Sequence, residues 1–428
     1  MTIRRFRRIL VALLAGLVAL LVMPFGWTWA QAQHEEQVSI LMPAPFAEAS
    51  QNLVQQFNAD HRGSIHLKVV RGPLETEAIS DLAISSLLLG DAPFDALLMD
   101  LTWLPKYAAA GWLEPLTPWF SNADLEALAP GAREGNAYND TLYRWPFVAS
   151  MGLLYWRTDL MDQPPRTPQE LEVISRTLQS EKKVTWGYVW QGRQYEGLSC
   201  VFLELVHGFG GFWIDPSNST VGLDQPAGIQ AATWLHRLIS EGISPRAVTN
   251  YAEGETLQSF KVGDAAFMRN WPYAWAELQK PDSQVGGKVG VTTMVAMDPS
   301  LSTATLGSWG LALLKGSSHQ DAAAEAIRFL SSEQAQKQLF LTHGYTPTVN
   351  ALFYDPELIN INPSLPALAE ALNHTASRPK SPLYAQLSDV LQRELSAVLT
   401  SETDATQGMN NATLLSKTIM RSAGNQTE

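Results

Sequence analysis

The sequence predicts an α/β protein, a mainly parallel sheet flanked by helices, with chain enough for about two domains. Three observations predict it. Short β-rich runs alternate with helical patterns through the first third of the chain beyond the N-terminal apolar segment, the order that places strands side by side and joins them by crossover helices. At 428 residues and 46% apolar content the chain can bury two cores of ordinary size. Near Tyr138 the texture changes, and helical patterns dominate from there on.

Taken in order, Val38 to Met42 reads as a strand, Pro45 to Asn58 as an amphipathic helix and Ile65 to Val70 as a strand. Glu75 to Leu89 reads as a helix and Ala96 to Asp100 as a strand. In sheets of this kind ligands sit beyond the carboxyl ends of the strands, so Pro43 to Phe46, Arg71 to Leu74 and Asp100 to Trp103 are expected to line one edge of a cleft. Trp145-Pro146 and the apolar run Met151 to Trp156 suit a first crossing to a second lobe. Helices are expected over Thr167 to Gln179, Gly197 to His207, Gln225 to Ile239, Thr256 to Val262 and Pro382 to Leu399, with a strand at Ala265 to Met268. The polar residues 401–428 are expected to be disordered or a frayed helix.

The N-terminus reads as a secretory signal peptide over residues 1–32: Arg4, Arg5, Arg7 and Arg8 precede the apolar run Ile9 to Met23, and Ala30-Gln31-Ala32 offers an A-x-A cleavage pattern. The competing reading is an uncleaved anchor, because the apolar stretch approaches the ~20 residues that span a bilayer. Either way the rest is exported, and a periplasmic location is expected. Loss of those four arginines takes the formal charge from −12 to −16. Such acidity argues against nucleic acid and anionic membranes, which reward Lys and Arg. Cys200 is the single cysteine, and the eight histidines show no metal-ligand spacing. Neither a metal nor a cofactor is expected.

The chemistry concentrates where aromatic rings meet amides, carboxylates and turn residues. Trp190 to Leu198 reads WQGRQYEGL, two rings, two amides including Gln191 and the carboxylate Glu196 around two glycines. That mixture suits a sugar, whose C–H faces stack on aromatic rings and whose hydroxyls need planar partners. Arg269 to Trp275 (RNWPYAW) and Thr305 to Gly310 (TLGSWG) repeat the theme. A lone Trp is more often core than ligand platform. Here Trp103, Trp190, Tyr195, Trp271, Tyr273 and Trp309 all stand beside Gly, Pro or a polar side chain, whereas core aromatics would lie inside aliphatic periodicities.

These same segments carry a family resemblance. The chain resembles the family 1 extracellular solute-binding proteins of bacterial ABC transporters, nearest the trehalose/maltose-binding branch. The similarity runs from about Val38 to about Thr400, through DALLMDLTWLPKYAAAGWLEPL (Asp95 to Leu116), YNDTLYRWPF (Tyr138 to Phe147), GLLYWRTDL (Gly152 to Leu160), WQGRQYEGLSC (Trp190 to Cys200) and AFMRNWPYAW (Ala266 to Trp275). The Gly307 to Trp309 turn and the Arg378 to Leu399 segment complete it. Each piece is weak alone; all of them in order are specific.

The resemblance implies a two-lobed periplasmic-binding-protein fold, each lobe a mainly parallel sheet flanked by helices, with ligand in the cleft between. It places residues 33–147 and 299–350 in the N-terminal lobe and 148–298 and 351–400 in the C-terminal lobe. It implies a monomer that hands a small carbohydrate to ABC permease subunits and their ATPase. Carried over by position, Asp100 becomes a hydroxyl acceptor, Trp271 and Trp309 stacking platforms, and Tyr195, Glu196, the Gly307 backbone and Arg378 polar contacts. Trp103, Gln191 and Tyr273 join them as candidates from residue type and setting. Bland roles compete: Asp100 or Thr102 could cap a helix before Trp103, Glu196 could cap the helix near Gly197, and Arg378 could fix the last helix by a salt bridge. One departure stands out. Where the branch usually has an aspartate between its YxxxLYxxP and GLLYYR motifs, this chain has Ser150, which implies a smaller or differently linked ligand such as a glucosylated polyol.

Two other classes remain open on the sequence alone. A glycosidase would need two carboxylates facing each other across a bond, and Asp100 and Glu196 are the pair that could meet, though neither lies in a catalytic motif. A binding protein for a phosphorylated or acidic solute would want several cationic side chains in the cleft, for which Arg71, Arg269 and Arg378 are the candidates.

Overall fold

The structure, a computed structural model, describes residues 35–89 and 93–424, so the expected signal segment and its cleavage point lie outside the described residues. β1 (Glu36–Met42), β2 (Ile65–Arg71) and β3 (Ala96–Asp100) alternate with α1 (Ala44–Ala49), α2 (Gln51–Asp60) and α3 (Thr76–Leu88). The single helix expected from Pro45 to Asn58 is divided at Ser50, whose ψ of −4° departs from the helical value near −42°. A 3₁₀ turn, Leu101–Trp103, then leads into α4 (Leu104–Ala109), and β4 (Arg144–Val148) completes the first pass.

The second block holds β5 (Leu153–Arg157), α5 (Pro168–Ser180), β6 (Trp186–Val189), α6 (Glu196–Gly208), α7 (Pro226–Ser240), α8 (Glu253–Lys261), β7 (Ala265–Asn270) and β8 (Val289–Thr292). Then come β9 (Ala304–Thr305), β10 (Trp309–Leu313), α9 (Gln320–Leu330), α10 (Glu333–His343), α11 (Pro356–Ile361) and α12 (Leu365–Leu372). β11 (Thr375–Ala376), α13 (Tyr384–Leu399) and α14 (Ala405–Gly424) close the chain. Among the described residues no helix is long and apolar enough to cross a membrane.

Two sheets form two lobes. The first runs β2-β1-β3-β10-β4 and the second β8-β5-β7-β6. Each is mixed, with a single reversed strand, β10 in the first sheet and β5 in the second, while the other strands of each run the same way. In the first sheet β2, β1 and β3 are parallel while β10 runs antiparallel to both β3 and β4. In the second only the β6–β7 pair is parallel. The reason lies in the crossings: β3 ends at Asp100, at the cleft, and β10 enters from the cleft at Trp309, directly opposite Asp100, so it must run the other way.

The lobes are joined where three segments lie side by side. Met151 bridges Leu306, the Gly152 amide donates to the Thr305 carbonyl (3.1 Å), the Gly307 amide to the Ser150 carbonyl (2.8 Å), and β9 pairs in parallel with β11. Under this join lies a fully buried ion pair, Arg269 of β7 with Glu204 of α6. The Glu204 carboxylate also accepts from the Thr305 amide (3.3 Å), and the Thr305 hydroxyl donates to the Cys200 carbonyl (2.8 Å), so the crossover is tied to α6. Burial works against the Arg269 charge, but the adjacent Glu204 carboxylate more than offsets it and holds the guanidinium protonated above its ordinary range. Gly152 is obligatory here, because a Cβ would fall 1.7 Å from Glu204 Oε1 and 2.5 Å from Arg269 Nη2.

Residues 351–372, expected in the second lobe, share a buried cluster with residues of both lobes: Leu352, Phe353, Leu365 and Leu372 pack with Leu101, Ala129 and Ala132 on one side and Val189 and Met268 on the other. The Gly131 amide donates to Asn373 Oδ1 (3.2 Å), and a Cβ at Gly131 would meet the Leu372 carbonyl at 2.2 Å. Residues 405–424, expected to be disordered or a frayed helix, form an ordered helix. Its apolar positions are sparse but helically spaced: Met409 and Ala412 are buried in the second-lobe core and Ile419 and Met420 pack on its margin. The Asp224 amide donates to Thr413 Oγ1 (3.0 Å), which fixes the helix against the loop before α7.

Gly152→Ala should therefore break the buried pair and cost about 3–5 kcal/mol of stability in denaturant unfolding. Gly254→Ala, where a Cβ meets nothing within 4 Å, should stay within about 0.5 kcal/mol of the parent. Equal effects of the two substitutions would show that the ion pair does not anchor the crossover.

Candidate functional site

Between the lobes lies a cleft of about 590 Å³, within the range of pockets that hold small molecules. The loops read from the sequence as its edge contribute Pro45, Phe46, Leu74 and Asp100. Aromatic rings line both walls. On the first-lobe side Phe46 lies against Trp309 (centroids 5.3 Å) and stacks on Tyr345 (5.0 Å). On the second-lobe side stand Tyr195, Trp271 and Tyr273.

Trp271 follows the end of β7, and its backbone is held at both ends: its amide donates to Asn270 Oδ1 (2.8 Å) and its carbonyl accepts from the Tyr155 hydroxyl (2.8 Å). The Arg269 guanidinium lies over the indole at 4.0 Å. Gly307 lets the ring approach, since a Cβ there would stand 2.6 Å from Trp271 Cζ3. Glu253, the first residue of α8, takes Trp271 Nε1 on one carboxylate oxygen (3.1 Å) and the Tyr195 hydroxyl on the other (2.8 Å). Burial, reinforced by that carboxylate, holds the Tyr195 phenol well above its ordinary range, so it remains a donor.

The floor is a charged hub. Arg378, 2% exposed, donates from Nη2 to both oxygens of Asp100 (3.0 and 3.1 Å) and from Nη1 to Glu196 Oε1 (2.7 Å). Asp100 Oδ1 also accepts from the Thr102 amide and hydroxyl, each at 2.8 Å, which caps the turn before α4. Glu196 takes the Tyr384 hydroxyl on Oε1 and the Ser388 hydroxyl on Oε2 (2.8 Å), both from α13. Burial opposes the Arg378 charge, and Asp100 foremost among its neighbours holds it protonated well above the usual range. Beneath, fully buried Arg144 donates to the Met99 carbonyl (3.2 Å), to Asn136 and to Ser308 Oγ (3.0 Å), and burial pushes its guanidinium down to about 9.

Of the ten candidate positions, Asp100, Tyr195, Glu196, Trp271, Tyr273, Gly307, Trp309 and Arg378 all border the cleft. Trp103 and Gln191 do not. Trp103 lies behind the Asp100 turn, edge-on to Trp309 at 5.6 Å and stacked on Tyr107. Gln191 is wholly buried, donating to Thr256 Oγ1 (2.9 Å) and the Arg269 carbonyl (3.0 Å) while accepting from Arg269 Nη1 (3.2 Å). Trp190 is also core, with Nε1 on Ser244 Oγ (3.1 Å). WQGRQYEGL therefore divides: its first two residues, continuing from β6, stay under the sheet, and Arg193, Tyr195, Glu196 and Gly197 turn to the cleft.

Glu253 and Tyr345 carry no site signal in their residue types, because an acid opening a helix reads as ordinary capping and a lone ring reads as core, whereas Phe46 lies in a segment already expected at the cleft edge. The charge balance is also new. Glu75, Asp100, Glu196, Glu253 and Glu255 line the cleft against Arg193 and Arg378, and both arginines are paired, Arg193 with Glu75 at 3.0 Å. Among the described residues no cluster of side chains suits a metal ion.

Comparison with known proteins converges. The model of the bacterial extracellular solute-binding protein family matches residues 43–337. A Deinococcus radiodurans protein described as a probable ABC transporter-binding protein is 31% identical over 348 residues, 78% of this chain and 82% of its own length. The maltotriose-binding protein of Pyrococcus abyssi is 27% identical over 303 residues, 68% of this chain and 62% of its own. Among solved structures, maltose-bound MalE3 of T. maritima is similar with a TM-score of 0.84 at 30% identity, covering 90% of this chain and 99% of that one.

Removing the Arg378 side chain (Arg378→Ala) leaves Asp100 and Glu196 buried without their shared cation and should cost about 3–5 kcal/mol in denaturant unfolding. Arg378→Lys keeps the charge but not the fork that reaches two carboxylates, and should recover less than half of that loss. A deficit under about 1 kcal/mol for the alanine variant would show that the hub does not hold the lobes' floor.

Proposed function

The chain belongs to the bacterial extracellular solute-binding proteins, and from that membership we propose that it is the substrate-binding component of an ABC importer, capturing a neutral carbohydrate between its lobes and delivering it to a membrane permease. One observation carries this reading: aromatic rings face each other across an acidic cleft in which both lining arginines are already paired. Rings supply stacking faces for the C–H surface of a sugar, and carboxylates and hydroxyls accept from its O–H groups. An anionic or phosphorylated solute finds no free guanidinium on these walls and meets a net negative potential instead.

Binding drives closure because a ligand held by Trp309 on one lobe and Trp271 on the other gains both sets of contacts only when the cleft is shut. The closed form is then what the permease reads. An exported, periplasmic monomer fits that cycle. A glycosidase reading has little support: Asp100 and Glu196 face a shared guanidinium, with their oxygens engaged by Thr102, Tyr384 and Ser388, rather than each other across an open gap.

Ser150 borders the cleft, and its single hydroxyl replaces the two acceptor oxygens that the resemblance leads one to expect there. Two similar proteins are a maltotriose-binding protein and a maltose-bound structure, yet this difference favours a smaller or differently linked ligand, such as a glucosylated polyol.

Calorimetric titration with trehalose, maltose, sucrose, glucosylglycerol and glycerol phosphate tests both points. Glucosylglycerol is expected to bind best and glycerol phosphate not to compete. A best response to maltose overturns the linkage argument, and strong binding of glycerol phosphate overturns the neutral-ligand reading. Trp271→Ala should weaken sugar binding by about 2 kcal/mol or more, roughly 30-fold, without unfolding the protein.

A further inference from the structure

We propose that Glu253 is the carboxylate that anchors the ligand hydroxyls on the second-lobe wall, while its two oxygens set the positions of Tyr195 and Trp271. This rests on the reading of the cleft as a site for a neutral polyhydroxylated ligand. The five cleft acids differ in how they are engaged. Asp100 and Glu196 are neutralised by Arg378 and Glu75 by Arg193. Glu255 caps its own helix, accepting from the Ala252 amide at 2.9 Å. Glu253 alone of the five makes only uncharged contacts to groups from elsewhere in the chain, one per oxygen: Tyr195 Oη at 2.8 Å and Trp271 Nε1 at 3.1 Å. A carboxylate carries about four lone-pair sites, so about two remain, on a half-buried group that borders the cleft. Charged acceptors in such surroundings make the stronger hydrogen bonds.

The group is also rigidly placed. The Glu253 carbonyl accepts from Asn270 Nδ2 (3.2 Å) and Thr256 Oγ1 (2.9 Å), and Thr256 Oγ1 in turn accepts from buried Gln191 (2.9 Å). Gln191, unable to reach the ligand itself, thereby holds the first turn of α8 against β7. Three elements, the loop entering α6, the start of α8 and the end of β7, converge on one carboxylate. The expected consequence is that the wall behaves as one unit: two rings at fixed spacing with an anionic acceptor between them.

The test is a cycle between protein and ligand. Wild type and Glu253→Gln are titrated calorimetrically with glucosylglycerol, trehalose and maltose and with the monodeoxy analogues of whichever binds. Glu253→Gln keeps the shape but exchanges one acceptor oxygen for a donor, and should lose at least tenfold in affinity for the parent sugar. For the analogue lacking the contacted hydroxyl the loss should shrink to within about twofold, because a hydroxyl that is absent cannot miss its acceptor. An equal loss for parent and every analogue overturns direct contact, as does parent affinity unchanged by the substitution. Where Glu253→Gln fails to fold, Glu253→Asp, which retains the charge but withdraws it by one methylene, is read by the same cycle. Failure of the wild type to bind any of the three sugars instead overturns the carbohydrate reading itself, whatever the variants do.

Discussion

The buried Glu204–Arg269 pair is the interaction on which the rest of the molecule depends. Two full charges away from water are tolerable only when each is answered on every side, and here they are: Glu204 by Arg269 and the Thr305 amide, Arg269 by Glu204, Gln191 and the Trp271 ring. Those partners belong to the crossover, to the loop after β6 and to the cleft wall. One ion pair thus fixes the hinge strand, the second-lobe sheet and the main stacking platform relative to one another. It also explains Gly152, whose lack of a side chain is what lets the crossing strand lie on the charges.

Arg378 plays the matching part at the cleft floor, joining Asp100 at the end of β3 to Glu196 at the start of α6. Its role reconciles two readings that look exclusive. It borders the cleft, as a ligand contact should, and it also anchors α13 through Glu196, Tyr384 and Ser388, as a structural arginine should. The result is a cleft whose positive charges are internally cancelled and whose remaining character is acidic and aromatic. That combination separates it from phosphate and carboxylate binders more firmly than any single residue does.

Most of the elements near the cleft were legible. β1, β2, β3, α3, α6 and α7 stand within a residue or two of their expected limits, because each carries a complete local signal of alternation, helical spacing or a cap. Sheet direction was not legible at β10, since nothing in Trp309 to Leu313 reports that the chain arrives there from the other lobe. α14 was read as disordered or a frayed helix, not as an ordered one, because its few apolar positions are diluted by Asn, Thr and Ser, and their pairing with the second-lobe core is a tertiary fact. The division of WQGRQYEGL was hidden for a similar reason: Trp190 and Gln191 have the composition of a sugar contact, and only the depth of the strand before them puts them under the sheet.

By itself the sequence determined what depends on near neighbours and on motif order: the α/β pattern, the acidic net charge, the family resemblance, and the concentration of rings beside Gly and Pro. Tertiary structure decided which of those rings face the cleft, which carboxylates are spent, and which acid is left to act. The physical reason is distance along the chain. Arg378 meets Asp100 across 278 positions and Glu196 across 182, and Tyr195 meets Glu253 across 58. Whether a charge is neutralised or a donor satisfied is settled by such long-range contacts, and no local pattern carries them.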